Sequence, residues 1–534
     1  MEFYACTPSR APITVLMKAR SIIASSLGNI IAALILTLSA FSAETGYEGT
    51  RTAASVAKVV YHISPKGTDE ADGKSSETAW KTLAHACDVV PAGNHLIRLS
   101  SGTFEETRPA RPKAGVMIAG NGNEGDKTII KAPPAWDFTA DKCKNAPEGY
   151  LIVIENQNSV SVRGIEFVND PGHRANGAIY SMGSDGTVID RIAAVNFRYA
   201  GVYLEKGENL IVSNSRFSDS AGNFKCDASN LGNITARYIR DSKFHNNVIT
   251  DTRGGYGYRG RSQTNVEIYR NHICTRSFAM ELAHEVDERV RIYENDLSAV
   301  ISVPRFRGSP PKNFPYTIRI HNNISSSAYG GEGTRNHLEI DHNYFYGEQG
   351  DARIYTDYGN NNSGPVWIHH NVAVSCRGFF FSMGKDKNYF IHHNTVILGE
   401  NYKGSAFEFY KAEGTSDVSF RNNILITRGD KPRNFVNSHG ITVENMEVSN
   451  NIFHNISGFP EGNNSADPQL TLQGERPFPY YTPTRAGGPL AAKAAVADEP
   501  SKGQRSEIGA YPLKLESADL IGLPPGCVTR PERP

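Results

Sequence analysis

Neither sign of charge is in excess in this sequence. Lys and Arg number 56, and Asp and Glu number 56. A nucleic-acid partner needs a cationic field that such a balance does not supply. Cysteine is scarce, with seven in 534 residues and none in a CxxC or Cys/His spacing, so no zinc scaffold is indicated. After Cys6 the remaining six (Cys87, Cys143, Cys226, Cys274, Cys376 and Cys527) lie far apart. An even number permits disulfides but identifies no pair. Long apolar runs are absent beyond residue 41, so no later segment is expected to anchor the chain in a membrane. Disorder is excluded as well, because 39% of the residues are hydrophobic and only 21% charged.

The one apolar run, Ile30 to Phe41, follows the basic residues Lys18 and Arg20 and precedes small residues around Ser42. That order reads as an export signal over 1–42, with a natural start at Met17. The mature chain would carry 53 basic against 55 acidic residues. A secreted or periplasmic protein is therefore expected. Residues 43–58 read as a linker and 513–534 as a C-terminal tail.

A short phrase repeats through the middle of the chain: an aliphatic or aromatic residue, two polar residues, then Asn. It ends at Asn214, Asn247, Asn271, Asn295, Asn323, Asn343, Asn371, Asn394, Asn423 and Asn451, with weaker copies around Gly164 and Arg191. Spacings of 20 to 33 residues imply a solenoid rather than one compact core. Segments such as VEIYRNHI and VWIHHNVAV alternate apolar and polar residues, which is strand spacing. About 22 residues or more per turn fits three short strands and three bends. Stacking would place each Asn over the next. These features resemble the right-handed, pectate-lyase-like parallel β-helix superfamily of secreted bacterial polysaccharide-active proteins. The resemblance implies an all-β solenoid of about twelve or more coils over 59–512, capped by an N-terminal helix. Ser76 is the expected N-cap, with Trp80, Leu83, Ala84 and Cys87 on the buried stripe. Asp69, Asp72 and Gly73 look partly like a calcium loop, but no bidentate Glu follows, so a turn is expected.

Chemistry on a solenoid must come from an outer face and its lengthened loops. Aligning the second strand of each turn by its apolar residues exposes Glu281 and puts Arg259 one rung away. The expected face carries Tyr256, Tyr258, Arg259, Arg261, Glu281, His284, Glu285, Arg305, Arg307, Tyr355 and Asp357. Tyr rings stack on sugars, and Arg grips uronate or sulfate. An acidic polysaccharide substrate is thus expected, for a monomeric chain. By resemblance to superfamily lyases, Lys225, Arg259 and Arg261 would supply base and charge clamp for β-elimination, with Glu281, Glu285 and Asp287 holding Ca²⁺. Hydrolysis would instead use a carboxylate pair, Glu281 with Glu285 or Asp287, or Asp357 with Glu408. A non-catalytic glycan-binding surface is the third class. The His residues of the repeats (His321, His342, His369, His370, His392 and His393) recur beside the ladder Asn, so they read as outward strand positions rather than metal ligands.

Overall fold

A computed structural model describes residues 59–122, 126–132, 146–170, 175–220, 232–250, 255–275, 278–282, 289–297, 301–305, 318–325, 328–332, 338–346, 354–356, 366–376, 378–382, 387–399, 404–409, 416–438, 446–465, 467, 470–473 and 480–483. The export signal, the linker and the C-terminal tail lie outside them.

Short strands wind through three parallel sheets of 15, 14 and 12 strands. Each coil visits the sheets in turn. Glu267–Tyr269 joins the 15-stranded sheet, His272–Cys274 the 14-stranded sheet and Met280–Leu282 the 12-stranded sheet, before Val290–Tyr293 opens the next coil. Inward positions stack by register: Phe244, Ile268, Ile292, Ile320, Ile340, Ile368 and Ile391 follow one another up the core. This is the parallel β-helix that the period of the repeat implies. One antiparallel pair, Leu470–Gln473 with Tyr480–Pro483, follows the stack.

The repeated phrase makes the bend between the first two sheets. The residue before each ladder Asn has left-handed backbone, from Asn246 and Arg270 through His342, His370 and His393 to Asn450. That conformation costs about 1–2 kcal/mol for most L-residues. The Asn that follows offsets the cost. The backbone N–H and Nδ2 of Asn271 both donate to Oδ1 of Asn295, each at 3.0 Å. The pattern repeats from Asn247 through Asn323, Asn343, Asn371, Asn394, Asn423 and Asn451. It runs one step further than expected, to Asn463. It also starts later: Asn214 is itself the left-handed residue, and the buried position belongs to Ser215, whose N–H donates to Asn247 Oδ1 at 3.1 Å. Ser can fill the corner, but it has no amide with which to continue the chain of bonds.

Near the start of the described chain, the helix Leu83–Val89 buries Leu83, Ala84, Ala86 and Cys87 against the core. Its N-cap is Thr82, not Ser76; Thr82 Oγ1 accepts from the His85 N–H. Asp69 accepts from the N–H groups of Lys81 and Thr82, and buried Glu106 accepts from those of Leu83 and Ala84. Trp80 is therefore held before the helix, in a bridge to Ile63, instead of within it. Asp72 closes the preceding turn by accepting from Lys74 N–H and Thr78 Oγ1.

Candidate functional site

The outer face of the 12-stranded sheet carries the densest chemistry among the described residues. Register aligns one column across it: Val153, Tyr180, Tyr203, Thr235, Arg259, Glu281, Ser302, Tyr329, Tyr355, Phe381, Glu408 and Asn437. A second column, two positions along, holds Glu155, Met182, Glu205, Arg237 and Arg261. The first column is buried from Val153 to Glu281, while the second is half-exposed. Accessible charge therefore sits beside buried charge.

At the centre, Arg259 Nε donates to Glu281 Oε2 at 2.8 Å, and Tyr256 Oη donates to Glu281 Oε1 at 3.0 Å. The Arg259 guanidinium also lies 5.6 Å from the Tyr256 ring centre. Arg259 and Glu281 sit directly opposite on adjacent strands, as the repeat alignment predicts. They are 8% and 9% exposed, however, so the expectation of a solvated guanidinium does not hold.

Tyr258 is corrected outright. It is 1% exposed and packs edge-on against Phe244, in register with Ile234 and Met280. Strand alternation would give Tyr256 and Tyr258 one face. It fails because Gly257 also faces inward, where a Cβ would meet Ile273 at 2.4 Å. Two successive inward residues put Tyr256 outside and Tyr258 inside. Tyr258 is thus a core residue, not a sugar platform.

Arg261 is half-exposed, with its guanidinium 5.8 Å from the Tyr238 ring, and Arg237 lies 5.6 Å from the same ring. Arg237 also donates to Tyr203 Oη at 2.9 Å, while that hydroxyl donates to Glu205 at 2.7 Å. Tyr203 stacks on Tyr180 with ring centres 5.3 Å apart and planes nearly parallel. Burial, then the neighbouring Glu205, pushes the Tyr180 phenol up to about 12. Burial and the bond to Glu205 push Tyr203 up as well, so both remain hydroxyl donors at neutral pH. Sequence reasoning missed Arg237, Tyr238, Tyr203 and Tyr180. The strand GNITARYIR carries the signal, but its apolar residues do not alternate cleanly.

Arg305 and Tyr355 lie on strands of the same sheet, Ile301–Arg305 and Ile354–Thr356. Lys225, His284, Glu285, Asp287, Arg307 and Asp357 lie outside the described residues. Glu281 Oε1 and Oε2 each accept one hydrogen bond, and the other two expected Ca²⁺ ligands, Glu285 and Asp287, lie outside the described residues. No step below is routed through calcium.

The family described as a right-handed β-helix region matches residues 135–300. Together with the sheet order, this defines the chain as a right-handed parallel β-helix. No curated protein matches the sequence. Among solved structures, XylC in complex with xylose is similar at 13% identity, over 79% of this chain and 89% of that one, with a TM-score of 0.37. A lacto-N-biosidase from Eubacterium ramulus is similar at 12% identity, over 72% and 68%, with a TM-score of 0.41. Pectate lyase Pel9A is similar at 14% identity, over 85% and 96%, with a TM-score of 0.33. No helix among the described residues is long and apolar enough to cross a membrane.

Proposed function

We propose that this protein is an exported carbohydrate-active β-helix that binds an acidic polysaccharide along the outer face of its 12-stranded sheet and cleaves it by β-elimination. The observation that carries the reading is the pairing of half-exposed Arg237 and Arg261 on adjacent strands, flanking Tyr238 and bordering the buried Arg259–Glu281–Tyr256 group. Two guanidinium groups one rung apart, about 4.8 Å, suit a row of carboxylates. The Tyr238 ring beside both suits the apolar face of a sugar.

In the proposed reaction a base takes the proton α to a uronate carboxylate. The electron pair closes a carbon–carbon double bond as the bond to the leaving glycosidic oxygen breaks, and that oxygen takes up a proton from solvent water. Arg261 neutralises the charge that develops on the carboxylate. Arg259 and Glu281 hold each other and Tyr256 in place beside it. Lys225, which precedes the strand Gly232–Arg240 in sequence, is the proposed base, and Glu285, His284, Arg305, Arg307, Tyr355 and Asp357 extend the proposed substrate contacts.

A panel of uronic and sulfated glycans tests this. Ultraviolet absorbance from unsaturated products supports elimination. New reducing ends without that absorbance would replace it with hydrolysis by a carboxylate pair. Binding without either product would reduce the protein to a glycan-binding module.

A further inference from the structure

We propose that Asp341, His342 and His369, with Glu339 beside them, form a binding site for a divalent transition-metal ion of the Zn²⁺ type. The site lies on the 15-stranded sheet and owes nothing to the glycan face. Its outward column reads His245, Tyr269, Tyr293, His321, Asp341, His369 and His392. The rings stack at 4.8 to 5.0 Å through His321, and again from His369 to His392. Ring stacking explains every member except Asp341, a buried carboxylate where the column otherwise has a ring.

Imidazoles converge on that carboxylate. The left-handed turn at His342 swings its ring back, so that Nδ1 lies 2.7 Å from Asp341 Oδ2. His369 follows Asp341 in register on the next coil. One donor atom from each of the three lies within 4.8 Å of the other two. Donors around a tetrahedral zinc ion sit roughly 3.3 Å apart, given bonds of about 2.0–2.1 Å. Small side-chain rotations close that gap. Glu339 Oε1 is 3.2 Å from His369 Nε2, and His370 Nδ1 holds the other ring nitrogen at 2.9 Å. Such an outer partner is what orients a ligating imidazole.

The charge is suitable too. Asp341 and Glu339 contribute two negative charges. Arg319 contributes one positive charge, forked onto Asp341 at 2.8 and 2.7 Å. The Arg uses one acceptor position on each oxygen and His342 a third, from about four on a carboxylate. A mixed imidazole and carboxylate set favours zinc-like ions over calcium. Asp341 and His369 are buried, but His342 is half-exposed and leaves a side open for entry. A bound ion would tie two successive coils together.

The test uses the full chain, stripped with chelator and dialysed against Zn²⁺, with bound metal measured per chain and melting followed with and without Zn²⁺. His342→Asn suits the left-handed position, which the preceding coil fills with Asn322. The expected result is one Zn²⁺ lost in His342→Asn and in His369→Gln but kept in His393→Asn, and Zn²⁺ raising the melting temperature of the parent and of His393→Asn but not of the other two. Circular dichroism checks that each variant is folded. No bound Zn²⁺ in the parent, or parental binding in His342→Asn, overturns the proposal. So does equal loss in His342→Asn and His393→Asn, which would assign the ion to the His stack instead.

Discussion

Replacing Asn295 by Ala measures what the ladder contributes. The Asn295 side chain makes four hydrogen bonds. Nδ2 donates to Ile268 O at 3.0 Å and to Asn323 Oδ1 at 2.9 Å, and Oδ1 accepts from the backbone and side-chain N–H groups of Asn271, both at 3.0 Å. Asn323 Oδ1 keeps its bond from the residue 295 backbone after the change. Two Asn271 N–H groups lose their partners, and Ile268 O loses one bond, in a region where Asn271 and Asn295 are nearly inaccessible. An unsatisfied buried group costs about 1–3 kcal/mol, and partial relaxation puts the expected loss at about 3–5 kcal/mol. Asn463→Ala is the control, because this last rung is part-exposed and water can replace its partners; about 1 kcal/mol is expected there. Urea unfolding followed by circular dichroism gives both numbers, provided the m-value stays constant. A change below about 0.5 kcal/mol for Asn295→Ala, or equal changes at the two sites, refutes the reasoning.

Arg259→Ala should destabilise by about 3–5 kcal/mol by leaving Glu281 buried without its cation; a melting temperature matching the parent would show that the pair is solvated after all. Gly73→Ala should lower the melting temperature, because Gly73 has φ of 67° and a Cβ there would meet the Trp80 ring at 2.5 Å; an unchanged melting curve counts against that packing. Acid should destabilise the fold below pH 6.5. Burial holds His245 below its usual value and His321 down at about 4. Their neutral forms stabilise fully above pH 6.5, and that contribution is lost as pH falls through this window toward 4. Melting curves at pH 7, 6, 5 and 4 check this, and flat stability would contradict it.

The solenoid was legible because a parallel β-helix writes its period into the sequence. Each coil needs an inward Ile or Phe, a left-handed residue and an Asn at fixed offsets, so Asn271, Asn295, Asn371 and Asn394 announce the corner without any knowledge of the strands. Asn214 misled because left-handed corners also favour Asn, and the two adjacent positions look alike in sequence. Arg259 opposite Glu281 was legible for the same periodic reason. Burial of that pair was not, since nothing in strand alternation distinguishes an outward side chain that is covered from one that is solvated. Tyr258 was misplaced because a glycine let two consecutive residues face inward, and alternation cannot show such a slip. The His residues of the repeats read as outward strand positions. Their mutual stacking and the carboxylate between them emerge only when register aligns the coils.

The account stands most directly on what Arg261 does to a polyuronate chain. Unsaturated product should be followed by ultraviolet absorbance for the parent, Arg261→Ala and Arg259→Lys, each confirmed folded by circular dichroism. The account predicts product from the parent, and a loss of at least tenfold in rate for Arg261→Ala, corresponding to about 1.4 kcal/mol of transition-state stabilisation. Arg259→Lys should lose rate as well, because Lys keeps the charge but not the guanidinium geometry that orients Glu281. Parental rates in both variants, or no product from any acidic glycan, would contradict it.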